Sequence, residues 1–164
     1  LNGNKNIFSV KGKNLTIGTA GTNCAFMIDE IKTLIVQDAD LIINCNIAYS
    51  PNTGASWAFI VKNGNIIVDK SITNLAGVYV AIGDASTTGL FQGNGATNAI
   101  LKVDGSMYGN AKPLFDSRLY VRGTSAYDIL TTGVIMGYSN RALVNPPPLL
   151  SEYLNNYSVT KVAK

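Results

Sequence analysis

One eleven-residue pattern recurs along this chain without a gap. It occupies residues 8–18, 34–44 and 59–69, and a shorter copy occupies residues 101–109. The copies start 26, 25 and 42 residues apart, and the last interval is close to two turns of about 21 residues. Repeats with periods of about 20–50 residues are typical of solenoids and arrays. The pattern therefore predicts a chain that winds as a coil of stacked repeats.

Each copy predicts two short strands joined by a bend, and the alternation of side chains indicates which face is inside. The positions that stay apolar are predicted to point inward: Phe8, Leu34, Phe59 and Leu101, then Val10, Val36, Val61 and Val103, then Leu15, Leu41, Ile66 and Met107. The alternate positions are predicted to point outward: Ser9, Ile35, Ile60 and Lys102, then Thr16, Ile42, Ile67 and Tyr108. One bend position is small and polar in every copy, and we expect its side chains to hydrogen-bond from turn to turn: Asn14, Asp40, Asn65 and Ser106.

The intervals between the copies contain further strand-like segments. They lie at residues 24–28, 78–82 and 119–121, and the first two follow links rich in Gly, Asn and Thr. Three short strands per turn of about 20–25 residues describe a parallel β-helix, or β-solenoid. Parallel crossovers are right-handed by default. We therefore predict an all-β, right-handed parallel β-helix, and not a β-sandwich, because a sandwich gives no reason for a gapless repeat.

The pattern weakens from Leu130, and three prolines follow Asn145. We predict one β-solenoid domain over residues 1–144 and a Pro-rich C-terminal tail or cap over residues 145–164. The tail carries apolar residues at the spacing of one helical face: Leu149, Leu150, Tyr153, Leu154 and Tyr157. We expect this segment to fold back and cover the open last turn, because solenoids need covered ends.

Composition excludes several partners. The chain has thirteen Lys and Arg residues and a net charge of +3, but its basic residues form no adjacent run. A nucleic-acid partner is therefore not predicted. Every apolar stretch is interrupted by Asp, Asn or Gly before it reaches the roughly 20 residues of a membrane span. The chain has no His and only two Cys, which cannot complete a zinc site. Neither a metal nor a cofactor is predicted.

Cys24 and Cys45 lie 21 residues apart, about one turn of the coil. They could therefore sit in neighbouring turns, close enough to form a disulfide. Two buried free thiols are the alternative. A disulfide would favour an extracellular compartment.

A catalytic function would have to use carboxylates, because His is absent. Some parallel β-helices are polysaccharide hydrolases or lyases, whose acidic residues project from one outer face. The candidates here are Asp38 with Asp40, then Asp69, Asp104, and Asp116 with Arg118. Asp38, Asp40 and Asp69 fall at predicted bends, where Asp is an ordinary turn residue.

Recognition is a second possibility. The outward Ile35, Ile42, Ile60 and Ile67 are predicted to form one contiguous apolar strip, to be covered by the C-terminal segment, by another copy of the chain or by a ligand. Trp57 follows an inserted loop at residues 50–56, so it could stack on a sugar or pack in the core. The candidate ligand-binding residues are Trp57, Tyr49 and Tyr108.

Three segments, residues 33–47, 65–81 and 101–110, resemble bacterial surface proteins with a β-helical repeat region. In that group a Gly-Asn bend, a Ser-Ile/Val-Thr-Asn link and a Gly-Ser-x-x-x-Asn turn recur in this order ahead of a Pro-containing tail. The corresponding residues here are 64–65, 71–74 and 105–110. The resemblance implies surface exposure and a structural or adhesive role, with no catalytic residues to transfer.

We therefore expect a non-catalytic secreted or cell-surface β-solenoid with an adhesive or structural role. Its expected partner is a polysaccharide, another cell-surface ligand or a second copy of itself. One alternative is a carbohydrate-active enzyme, a polysaccharide lyase or hydrolase, on the same coil. The other is a filament-forming scaffold of the bactofilin type, which polymerises end to end.

Overall fold

The computed structural model describes residues 6–21, 24–118 and 133–155. In these residues the coil begins with β1 (Ile7–Lys11), β2 (Leu15–Ile17), β3 (Ala25–Ile28), β4 (Ile31–Gln37), β5 (Leu41–Ile43) and β6 (Asn46–Tyr49). It continues with β7 (Ser56–Lys62), β8 (Ile66–Asp69), β9 (Asn74–Ile82), β10 (Phe91–Asn94) and β11 (Leu101–Tyr108). The remaining elements are α1 (Lys112–Ser117), β12 (Val134–Gly137), α2 (Arg141–Val144) and α3 (Leu150–Asn155). The strand predicted at residues 119–121 lies outside the described residues.

The strand pairings among these residues are parallel. They form an eight-stranded sheet, which we call the long wall, and a four-stranded sheet of β2, β5, β8 and β10, which we call the short wall. The chain passes between the two walls about four times. The predicted β-solenoid is therefore confirmed, whereas its right-handedness stays a prediction.

The three full copies of the repeat stack in the predicted register. Phe8 lies beside Leu34 and Leu34 beside Phe59, while Val36 lies beside Val61 in parallel strands. Leu34, Phe59, Val36 and Val61 are buried in one apolar core between the walls. Burying a side chain of this kind contributes about 1.5–3 kcal/mol, so each turn is stabilised mainly by the turns on either side of it.

The bends between the walls use a left-handed backbone at one repeated position. Gly12, Asp38 and Asn63 occupy it with φ of 68°, 55° and 54°. Gly, Asp and Asn are the residues that adopt this conformation most readily. The Asn63 side-chain amide also donates to the Asp38 carboxylate at 3.0 Å, which ties two neighbouring bends together.

The predicted fourth copy is wrong, although Leu101 and Val103 are buried as expected. Val103 lies beside Leu75, and Met107, not Leu101, is in line with Phe59 through Tyr79. Residues 101–108 form the single strand β11, and Ser106 lies inside it beside Val78, not at a bend. The chain turns without a loop here, since Gly105 lies beside Gly77 and the two have φ of 151° and 120°. A Cβ on Gly105 would lie 1.9 Å from the Gly77 carbonyl oxygen. Two glycines thus replace the corner that earlier turns make with a loop.

A disulfide joins the first two turns of the coil. Cys24 and Cys45 precede the paired strands β3 and β6, and their Cα atoms lie 5.1 Å apart. Gly18 lies against the bridge, since a Cβ there would be 2.7 Å from the Cys24 Sγ. The bridge therefore holds the terminal turn, which has a neighbour on one side only, to the rest of the coil.

We predict that reducing this bridge lowers the free energy of unfolding by about 3 kcal/mol, because a disulfide that closes a loop of this length restricts the unfolded chain. Urea denaturation with and without reductant measures the change. A Cys24→Ser/Cys45→Ser variant is the control and should not respond to reductant. Equal stability of the wild type in both buffers would contradict the prediction.

Candidate functional site

The interior of the first turn of the coil faces solvent. The Phe8 side chain is 45% exposed, whereas Leu34, Phe59 and Tyr79 at the same position in the next turns are 7% exposed or less. The same holds on the short wall, where Leu15 is partly exposed and its neighbour Leu41 is fully buried. We call this N-terminal end, made of β1, β2 and β3, the open end.

An apolar hollow of about 370 Å³ lies at the open end. Seven apolar side chains line it: Phe8, Val10, Leu15, Ile17, Phe26, Leu34 and Trp57. Lys32 stands at its margin, with its ammonium 5.6 Å from the centre of the Phe8 ring and 5.8 Å from that of Trp57, and it also forms an ion pair with Glu30. The hollow continues the dry core, and no turn covers it among the described residues.

Trp57 belongs to this hollow and to an aromatic cluster inside the coil. Its ring centre lies 5.1 Å from that of Phe26 in an edge-on contact, 5.5 Å from Phe59 and 6.4 Å from Phe8. Phe59 stacks in turn on Tyr79 at 4.9 Å. Trp57 therefore packs against the core at the open end, and its binding of a sugar stays a prediction. Its buried indole Nε1 has no hydrogen-bond partner in the described part of the chain.

The strands of the open end also have free edges. Within residues 6–21 and 24–118, β1 pairs with β4, β2 pairs with β5 and β3 pairs with β6, and none of the three has a second strand beside it. Unpaired strand edges are a template for the addition of another strand. The open end thus combines an apolar hollow with exposed backbone donors and acceptors.

The opposite end of the short wall is closed. Helix α1 packs beside β10, and its Leu114 is fully buried in the core between the walls. Gly93 of β10 allows the close approach, because a Cβ there would lie 1.9 Å from the Ser117 Oγ. At this end of the short wall a helix therefore covers the core, whereas β2 at the open end has no such cover among the described residues.

The predicted isoleucine strip is wrong as a single surface. Ile35 and Ile60 lie side by side on the long wall and are buried, whereas Ile42 and Ile67 lie side by side on the short wall and are partly exposed. Alternation places all four residues outward, but two walls with different orientations separate them into two pairs.

A C-terminal segment covers the outer face of the long wall. We call residues 140–155 the strap. Its Leu150 packs against Ile35 and Ile60, together with Leu149, Tyr153 and Leu154. The predicted helical face is thus confirmed for Leu150, Tyr153 and Leu154 on α3, whereas Leu149 precedes the helix with φ of 63° and Tyr157 lies outside the described residues. The described contacts of the strap are with the side of the coil, so cover of the last turn stays a prediction.

Hydrogen bonds fasten the strap at two strands, β4 and β7, and at the inserted loop. The Thr33 hydroxyl donates to the Pro148 carbonyl and the Ser56 hydroxyl to the Asn145 carbonyl. The Arg141 guanidinium donates to the Thr53 carbonyl and lies 4.5 Å above the Tyr49 ring. The inserted loop at residues 50–56 therefore serves as an anchor for the strap.

The two tyrosines predicted to bind a ligand have different environments. Tyr49 packs against the core and beneath Arg141, and burial raises the pKa of its hydroxyl. Tyr108 is 42% exposed and lines a small hollow of about 110 Å³ between the long wall and the strap. Tyr138 and Ser139, which sequence patterns did not single out, line the same hollow. Trp57 does not line it, so the three predicted residues form no common site.

The predicted polar ladder is confirmed for three copies. The Asp40 backbone N–H donates to the Asn14 side-chain oxygen at 3.0 Å, and the Asn65 N–H donates to the Asp40 carboxylate at 2.8 Å. In the next turn the Leu90 N–H donates to the Asn65 side-chain oxygen at 3.0 Å. Asp40, a candidate catalytic acid, therefore holds the backbone of the next turn.

The other acidic candidates are separate from one another. Asp38 forms an ion pair with Lys11, and Asp116 forms one with Lys112 on α1. Asp104 is exposed on β11. Arg118 is 1% exposed, and its guanidinium donates to the carbonyl oxygens of Ile72, Asp69 and Ala99. Arg118 thus links segments of backbone.

Asp69 is the buried member of the acidic candidates. Its carboxylate accepts hydrogen bonds from the Ser71 hydroxyl at 2.6 Å, the Ser71 N–H at 2.9 Å and the Asn94 amide at 3.4 Å. These bonds, chiefly those from Ser71, hold the pKa of the Asp69 carboxyl below its usual value. The arrangement stabilises a turn after β8.

Across residues 6–21, 24–118 and 133–155, no three Cys, Asp or Glu side chains are grouped so as to hold a metal ion. None of the helices in this part of the chain is long and apolar enough to cross a membrane.

Comparison of the chain with protein-family models, curated proteins and solved structures found no match. The resemblance to bacterial surface proteins therefore stays a prediction.

We predict that Asp69 makes the protein less stable in acid. The folded-state pKa of Asp69 is lowered, so its contribution is present above the unfolded pKa of about 3.9 and is lost as the pH falls through the folded pKa. The Asp69→Asn variant should lose less free energy of unfolding between neutral and acidic pH than the wild type. Denaturant titrations at several pH values measure this.

Ser71→Ala is the matched variant, because it removes the main cause of the lowered Asp69 pKa. It should also flatten the pH dependence. Curves that run parallel for the wild type and both variants would contradict the role given to this carboxylate.

Proposed function

We propose that this chain is a non-catalytic structural module of a secreted or cell-surface protein. The observation that carries the proposal is the polar ladder through Asn14, Asp40 and Asn65, in which a carboxylate and two amides fill one and the same backbone-holding role. A catalytic acid could not be exchanged for an amide in this way, because an amide does not transfer a proton. The ladder thus supports a structural use of the acidic side chains.

The disulfide between Cys24 and Cys45 supports the extracellular part of the proposal. Disulfides persist in oxidising compartments and are uncommon in reducing ones. The continuous stack of turns supports the structural part, because it offers broad, rigid walls on which contacts can be placed. Such a module would act as a spacer or an adhesive surface.

Substitution of Asp40 tests the structural role against a catalytic one. We expect Asp40→Asn to change the free energy of unfolding by less than about 0.5 kcal/mol, because the amide oxygen can still accept from Asn65. Asp40→Ala should lower it by about 1–3 kcal/mol, because the Asn65 N–H loses its partner. Urea denaturation gives both values.

The same variants should be incubated with a panel of neutral and acidic polysaccharides and their products measured. The proposal expects no turnover by the wild type or by either variant. Cleavage by the wild type that is lost in Asp40→Asn would identify Asp40 as a catalytic group and favour the carbohydrate-active enzyme.

A second candidate function is the binding of a neutral polysaccharide in the hollow between the long wall and the strap. Tyr108 and Tyr138 present partly exposed rings there, and Ser106 and Ser139 supply hydroxyls. The residues that line the hollow carry no charge. Aromatic faces beside neutral hydrogen-bonding groups suit a sugar ring, which has apolar faces and hydroxyl edges.

We expect Tyr138→Ala to weaken binding of a neutral polysaccharide about tenfold, which corresponds to the loss of one aromatic contact. Isothermal titration calorimetry measures the change. Phe115→Ala is the control, because Phe115 is also an exposed aromatic residue, at 40% against 71% for Tyr138, but lies on α1 and does not line the hollow. Wild-type protein that binds no neutral polysaccharide, or equal binding by both variants, would exclude this hollow as the site.

A further inference from the structure

Two Asn-Gly pairs lie in the described part of the coil, at residues 63–64 and 94–95. Asn is a thermolabile residue, because the backbone nitrogen of the next residue can attack its side-chain amide. Glycine permits this attack most readily, since it has no side chain to obstruct it. The two pairs therefore share the same intrinsic chemistry, and their surroundings in the fold decide which of them reacts.

Both asparagines make the same kind of contact with the preceding turn. The Asn63 side-chain amide donates to the Asp38 carboxylate at 3.0 Å, and the Asn94 amide donates to the Asp69 carboxylate at 3.4 Å. In each pair the partners are 25 residues apart, which is one turn of the coil. Conversion of either Asn to an acid would thus remove a hydrogen bond and place two carboxylates opposite each other.

Neighbouring turns hold the backbone of the first pair in place. The Asn63 N–H donates to the Ile82 carbonyl, and the Gly64 carbonyl accepts from the Gly89 N–H, each at 2.8 Å. Gly64 is buried, and a Cβ there would lie 1.9 Å from the Ala39 carbonyl oxygen. The Gly64 nitrogen therefore has little freedom to approach the Asn63 side chain.

The second pair lies where β10 ends and has more room. Asn94 is the last residue of β10, and both Asn94 and Gly95 are exposed. Among the described residues, a Cβ on Gly95 would meet only the Lys70 side chain, at 3.6 Å. The bond to Asp69 is longer than the bond from Asn63 to Asp38, so it holds the amide less firmly. The backbone at Asn94 can therefore reach the geometry of attack more easily.

We propose that Asn94 is a site of spontaneous deamidation, whereas the fold protects Asn63. The Gly95 nitrogen loses its proton and bonds to the Asn94 Cγ, while the bond from Cγ to Nδ2 breaks and ammonia leaves with that proton. Water then opens the cyclic imide at either of its carbonyls, which gives aspartate or isoaspartate. In sum, an amide and one water become a carboxylic acid and ammonia, and nothing is oxidised or reduced.

The product acts on Asp69. A carboxylate at position 94 cannot donate the hydrogen bond that Asn94 donates, and it repels the Asp69 carboxylate at neutral pH. Lys70 and Arg118 are the cations that interact with Asp69 in the described part of the chain, and the Arg118 guanidinium is already bonded to backbone carbonyls. Neither replaces the lost donor, so deamidation weakens the contact between β8 and β10.

Peptide mapping by mass spectrometry measures both reactions in the same molecule. The full chain is incubated at mildly alkaline pH and digested with trypsin, which places Asn63 and Asn94 in separate peptides, residues 63–70 and 71–102. We expect Asn94 to deamidate about tenfold faster than Asn63, or more. In guanidinium chloride the two rates should become similar, because the unfolded pairs share the same chemistry. Equal rates in the folded protein, a faster reaction at Asn63, or an unchanged ratio after unfolding would overturn the proposal.

Asn94→Asp supplies one product directly and tests its effect on the coil. We expect this variant to unfold at a lower urea concentration than the wild type at neutral pH, because it loses the bond to Asp69. Asn98→Asp is the matched control, since Asn98 is exposed and makes no hydrogen bond to Asp69 among the described residues. It should unfold like the wild type. An unchanged midpoint for Asn94→Asp, or an equal shift in both variants, would refute the effect on Asp69.

Discussion

The structure depends on stacking in register: each turn presents the same side chains, in the same positions, to the turn above and below. Two kinds of interaction between turns follow from this constraint. The backbone groups of each strand pair with the neighbouring turns, and apolar side chains such as Leu41 and Ile66 fill the space between the walls. Because a single turn can complete neither the backbone pairing nor the apolar packing, the stability of a turn comes from its neighbours.

Because each turn depends on its neighbours, the first and last turns must be stabilised in another way. At the last turns, α1 replaces a strand and buries Leu114 against the short wall. At the first turn, the Cys24–Cys45 bridge holds the end in place while its interior stays exposed. In the described residues the strap covers a side of the coil.

The sequence predicts most of the coil, because the features that repeat are local. The inward positions of three copies and the ladder through Asp40 follow from spacing alone, since identical offsets put identical positions side by side. The fourth copy could not be predicted correctly, because Asp-Gly-Ser suits a bend as well as a strand. The continuous strand that it forms, without a loop, depends on the distant Gly77 beside Gly105. That contact is visible only in three dimensions.

The candidate surfaces were less predictable for a related reason. Alternation shows that Ile35 and Ile42 point outward, but it does not show that they lie on different walls. Likewise, Trp57 follows a polar loop, and only the register of β7 shows that it points into the coil with Phe59. The exposure of Phe8 arises from its place in the terminal turn, not from its residue type. Tyr138 has no repeat partner that would mark it.

The most direct test of the account is a set of proton–proton distances across the long wall, measured by nuclear Overhauser effects on isotope-labelled protein. Parallel stacking in the register described here predicts contacts that connect Leu34 to Phe59 and Val36 to Val61, both in the same chain direction. Contacts that run in opposite directions, such as Leu34 to Val61 together with Val36 to Phe59, would contradict the stacked coil and every inference drawn from it.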